Sequence, residues 1–140
     1  MESELEALAT RLHSAAIRLL RNVRREDRAS GLTGPRLSAL SVLVFGGPQS
    51  LAGLAEAEQV TPPTMSRLVD ALVTAGLATR EAAMEDRRQV RIAATAKGRR
   101  LLEEGRTRRV RALAGQLADL SPAQRATLTR ATAILERAAR

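Results

Sequence analysis

The sequence predicts a mainly α-helical fold broken by one short β-hairpin, and three observations carry that expectation. Apolar residues recur at steps of three and four through most of the chain, the repeat of a single buried helix face. Ser or Thr stands immediately before Pro or an apolar run at several points, the pattern of a helix start. Clear period-two alternation is found near one place, where Val90 and Ile92 alternate with Arg91 and Ala93. The 140 residues suit one ordinary domain with a genuine core. Phe45 is the single aromatic and 44% of the residues are apolar, so the core must be built from Leu, Ala, Val and Ile. Of these, Leu and Ala favour helix.

The first helix is expected from Leu5, Leu8, Leu12, Ala15, Leu19 and Val23, which form one stripe on a long helix ending near Arg28. Arg24, Arg25 and Arg28 in its last turns complement the helix dipole. Ala29, Ser30 and Gly31 break it, and Thr33 before Pro35 opens a second helix that runs through Leu37, Leu40, Val44 and Phe45 to Gly46, Gly47 and Pro48. Ser50 caps a short third helix, residues 50–57, carrying Leu51, Leu54 and Ala55. Thr61 precedes Pro62 and Pro63, whose missing N–H groups fall where a helix would leave them unpaired, so a fourth helix spans residues 61–75. Leu68, Val69, Leu72 and Val73 are its apolar stripe, and Gly76 ends it as a left-handed cap.

The period then changes. Residues 77–82 and 89–94 are strand-like and flank the polar stretch 83–88, so they pair as a hairpin. Thr95 caps a further long helix through Leu101, Leu102, Val110, Leu113 and Leu117, and Ser121-Pro122 opens a last one carrying Leu128, Ala131 and Leu135.

The net charge is +8, and Lys97 is the only lysine among 23 basic residues. Residues 61–100 and 101–140 carry +4 each, so the excess lies in the second half. A polyanion is the natural partner, and arginine's planar fork suits phosphate and base edges. Charge alone fits RNA or a membrane surface as well. The chain has no cysteine, which excludes disulfides and thiolate metal sites. His13 is the only histidine, so no metal set can be completed around it. There is no glycine-rich phosphate loop and no nucleophile with a paired base, so neither an enzyme nor a cofactor is expected. Neither a secretion signal nor a run of about 20 apolar residues is present, which makes a cytoplasmic protein the default and a membrane partner unexpected.

Two short helices joined by a turn, residues 50–57 and 61–75, have the proportions of a helix-turn-helix. The second bears Thr64, Ser66, Arg67 and Asp70 opposite its apolar stripe. Short hydroxyls and an arginine there can reach phosphates and base edges, although a merely solvated face has the same look. The hairpin tip carries Asp86, Arg87 and Arg88, and an arginine on a narrow ribbon suits the minor groove. Asp86 is better read as orienting a neighbouring arginine or capping the turn. A hairpin directly after such a helix makes the pair a winged helix-turn-helix.

The runs Leu54-Ala55, Thr61 to Leu72, Ala75 to Arg80 and Asp86-Arg87-Arg88 resemble the MarR family over nearly the whole chain. The resemblance implies a winged helix-turn-helix at residues 31–100 and a homodimer held by long helices at residues 1–30 and 101–140, all within one domain of residues 1–140. It places Thr61, Pro62, Thr64, Ser66 and Arg67 in the major groove, Arg87 at the wing tip in the minor groove, and Asp86 and Arg88 beside it. Glu58 stands where the family usually has an apolar residue. The implied function is a sequence-specific DNA-binding regulator, most often a repressor, on a pseudo-palindromic operator in double-stranded DNA. A small-molecule effector in the crevice between dimerisation and reading regions is implied by the resemblance alone, and one aromatic offers little to stack a phenolic one. The apolar stripes at both chain ends are an independent argument for a dimer, because a lone winged domain cannot cover them. The alternative is an architectural DNA- or RNA-binding protein that uses the same charge without reading sequence.

Overall fold

The computed structural model describes residues 1, 3–82 and 90–140. Helix α1, Glu4–Arg24, starts at a reciprocal capping box in which Ser3 Oγ accepts from the Glu6 amide at 3.1 Å and Glu6 Oε2 accepts from the Ser3 amide at 2.8 Å. Hydrogen bonding to Ser3, from its backbone amide first and its side chain second, holds the Glu6 carboxyl below its ordinary pKa of 4.5. The helix does not run to Arg28 as expected. It gives way to a 3-10 helix, Arg25–Ser30, which ends at Gly31 in the left-handed conformation. Asp27 is held by Arg109, at 2.7 Å.

Helices α2, Gly34–Gly46, α3, Leu51–Glu58, and α4, Pro62–Thr74, follow, then strands β2, Ala78–Ala82, and β3, Val90–Ala94, and helices α5, Ala96–Gln116, and α6, Pro122–Ala138. A strand that period analysis cannot detect, β1, Gln49–Ser50, joins the hairpin to make a three-stranded antiparallel sheet in the order β1-β3-β2. Its cause is local: Ser50 caps α3 with extended dihedrals, which lay the dipeptide alongside Ile92 and Arg91 of β3. The mainly α architecture with a small β element is as the sequence predicts.

The buried core lies between α2, α3, α4, the sheet and the first turns of α5. Leu40, Leu43, Leu54, Met65, Val69, Leu72, Leu77 and Ile92 are almost fully enclosed. By contrast, only Val23 of α1 is buried, and α6 buries nothing. Leu5 and Leu8 of α1 remain 74% and 60% exposed, and Ile134 of α6 57%. Among the described residues, no helix is long and apolar enough to cross a membrane.

Candidate nucleic-acid interface

The α3–α4 turn closes through its own main chain. Gln59 adopts a left-handed conformation at φ 56°, and Val60 donates to the Ala55 carbonyl at 3.0 Å across the helix end. Glu58 is half-buried beside this turn.

Thr61 then starts α4. Its hydroxyl donates to Thr64 Oγ1 at 3.0 Å and accepts, weakly, from the Thr64 amide at 3.4 Å. The two hydroxyls are thereby joined to each other, and one hydroxyl hydrogen of the pair remains to be donated outward. Pro62 and Pro63 occupy the first helical turn, where an N–H would have no partner. Met65, Val69 and Leu72 are buried at spacings of four and three, which turns the opposite face outward. Thr61, Pro62, Thr64 and Arg67 are exposed and Ser66 is half-buried. The structure thus brings the five sequence-predicted helix residues together at one end of α4. Among the described residues Arg67 has no ionic partner, so its guanidinium is available to an anion. Asp86, Arg87 and Arg88 lie outside the described residues.

Two features of the site escape a reading of the sequence. The first is an ion pair between Arg80 of β2 and Asp70 of α4, which ties the sheet to the solvent side of the helix. Both groups are substantially exposed, 39% and 62%, so the pair contributes orientation more than stability, about 0–1 kcal/mol. The second is the way α4 ends. Gly76 takes φ +75°, and Leu77 donates to the Leu72 carbonyl at 2.9 Å. The carbonyls of Ala75, Gly76 and Leu77 are then satisfied from the start of α5. Lys97 Nζ donates to Ala75 O at 2.9 Å, Thr95 Oγ1 to Gly76 O at 2.7 Å, and the Thr95 amide to Leu77 O at 3.0 Å. Gly98 permits this approach, because a Cβ there would lie 2.4 Å from Leu77 O. A glycine in the first turn of a helix, with no turn to make, is the one sequence signal that a backbone passes close by.

A MarR family model matches residues 30–89, the stretch from the end of the 3-10 helix to the hairpin. An uncharacterised HTH-type transcriptional regulator of Mycobacterium bovis is 33% identical over 128 residues, 91% of this chain and 90% of its own length. A transcriptional regulator of Thermotoga maritima superposes with a TM-score of 0.86 at 22% identity, over 95% of this chain and 94% of that one. A MepR mutant of S. aureus bound to an oligodeoxyribonucleotide superposes at 0.74 and 17% identity, over 95% and 98%. These two structures share the fold.

Proposed function

Given that the chain belongs to the MarR family, we propose that it is a cytoplasmic homodimeric transcriptional regulator, a repressor that occupies a pseudo-palindromic operator in double-stranded DNA. The observation that carries the reading is the exposed N-terminal half of α4, where Thr61, Pro62, Thr64, Ser66 and Arg67 converge on a helix anchored by Met65, Val69 and Leu72. In this reading Arg67 and the Thr64 hydroxyl meet bases and phosphates in the major groove, Thr61 sets the helix start, and Arg87 and Arg88, oriented by Asp86, reach the minor groove. The relatives named as transcriptional regulators, and the MepR structure with its bound oligonucleotide, support the assignment to DNA rather than to another polyanion.

A dimer is supported by the unburied leucines of α1 and the apolar positions of α6, which lie outside the core at the two ends of the chain. A two-fold pair would offer two α4 helices to successive major grooves. Relief by a ligand is supported by a cleft of about 590 Å³ between the end of α1, the 3-10 helix, α2 and α5. Arg24, Arg28 and Arg106 line it together with Leu37, Leu102 and the exposed ring of Phe45, and its one carboxylate, Asp27, is already paired with Arg109, a lining that suits an organic anion.

The test is selection of duplexes by the protein from a random-sequence library, followed by binding of the selected duplex, a scrambled duplex and RNA at fixed salt. The expected result is strong preference for the selected duplex. Arg67→Ala should weaken that binding about tenfold, as loss of one base-reading arginine does, and relax the preference at one base pair. Equal affinity for all three nucleic acids would sink the reading in favour of the architectural alternative.

A further inference from the structure

Lys97 stands in the wrong place for its own helix. It is the second residue of α5, where the positive end of the helix dipole disfavours a cation, and it is the only lysine in a chain otherwise furnished with arginine. Its Nζ lies 2.9 Å from Ala75 O, at the C-terminal end of α4, where the dipole favours a cation. The group therefore acts on α4 rather than on α5. Its stem passes over Gly76, whose added Cβ would meet Lys97 Cδ and Nζ at 3.8 Å. With Thr95 on the two following carbonyls and Gly98 against Leu77 O, the first turn of α5 grips the chain leaving α4 at three successive carbonyls, those of Ala75, Gly76 and Leu77.

The consequence is leverage. The 13 residues of α4 span about 20 Å, so a tilt of roughly 5° at the gripped end moves Thr61 by about 1.7 Å and Arg67, half-way along, by about 0.9 Å. That displacement exceeds what a bidentate contact to a base edge tolerates. The grip joins α4 to α5, whose far end leads to α6, so it also connects the reading helix to the part of the chain that lies outside the core.

We propose that Lys97 is a positioning residue for DNA reading: it fixes the tilt of α4 and makes no contact with DNA. The proposal rests on the DNA-reading role given above. A lysine just after the hairpin invites the opposite view, that it neutralises a phosphate, and the two views separate by salt dependence. A lost phosphate contact lowers the slope of log K against log salt by about 0.9 and weakens all duplexes alike. A lost positioning contact weakens the selected duplex and leaves the slope alone.

Lys97→Met and Lys97→Arg are compared with the wild type on the selected and scrambled duplexes across a salt series, with melting temperatures alongside. Lys97→Met is expected to weaken the selected duplex about tenfold, leave the scrambled duplex within twofold and keep the slope. Lys97→Arg, which retains a charged donor, should restore most of the loss. A parallel loss on both duplexes with a shallower slope would make Lys97 a phosphate contact and overturn the proposal. A lower melting temperature with unchanged affinity would reduce it to a structural cap and overturn it equally. If the wild type itself prefers no duplex, the DNA-reading role fails first and this proposal with it.

Discussion

Gly98 and Gly115 share α5 but not their surroundings. A Cβ at Gly98 would stand 2.4 Å from the Leu77 carbonyl and 3.1 Å from Leu40 Cδ1, whereas one at Gly115 would meet nothing within 4 Å. Backbone cannot move aside as a flexible side chain can, so Gly98→Ala should destabilise the protein by about 1–3 kcal/mol, the range of an overpacked core. Gly115→Ala should instead stabilise it by up to about 1 kcal/mol, through helix propensity alone. Thermal melts of the two variants decide this, and equal melting temperatures would refute the close approach. Residues of this kind divide by reach in how well the sequence displays them. Thr61, Pro62, Thr64, Ser66 and Arg67 lie within two turns at the start of one helix, so their grouping is legible from order alone. Lys97 takes its meaning from a carbonyl 22 residues earlier, and Asp70 from an arginine ten residues later. No periodicity encodes such pairs, since they depend on where a turn redirects the chain.

Two helices of the molecule begin with the same device in different chemistry. Ser3 and Glu6 close the box at α1, while Ser121 and Gln124 close it at α6, with Ser121 N donating to Gln124 Oε1 at 2.9 Å and Gln124 N to Ser121 Oγ at 3.1 Å. Only the first can titrate. The folded-state pKa of Glu6 is depressed below 4.5, so its stabilisation is fully present above that pH and is lost as pH falls through the lower folded value. In an acid titration the amide resonance of Ser3 should shift in that window while that of Ser121 stays in place; joint movement, or none, would count against the box. Helix starts are legible because a cap is local: Ser50, Thr61, Thr95 and Ser121 all cap where the sequence places them. The end of α1 is less so. An apolar stripe says where a helix has something to bury, not whether the winding tightens after it, and Asp27 settles that by pairing with Arg109 on a distant helix. A strand of two residues, β1, is shorter than any period and becomes visible only through its partner β3.

At the scale of the molecule, the buried core belongs to the middle of the chain, while most of the leucines of α1 and α6 face outward. Such stripes are costly in water unless covered, and in the proposed dimer a second copy of the chain would cover both ends at once. Leu8→Asp, at a position 60% exposed in one chain, should leave the melting behaviour of the winged region intact while shifting sedimentation from dimer toward monomer. A wild type that sediments as a monomer at micromolar concentration would end the dimer reading. The sequence displays these stripes plainly, yet it cannot say which of them meet, because that is set by the packing of two molecules. Phe45 sits at the rim of the cleft beside α2 with 78% of its surface open. It is the only phenyl group in a chain that has no Tyr or Trp, and one imidazole accompanies it. The aromatic proton spectrum therefore reduces to two spin systems, needing no isotope label to assign. In a two-fold pair the phenyl gives a single set of lines, and a state with one cleft filled would split it, so the ring reports whether the halves respond together or one at a time.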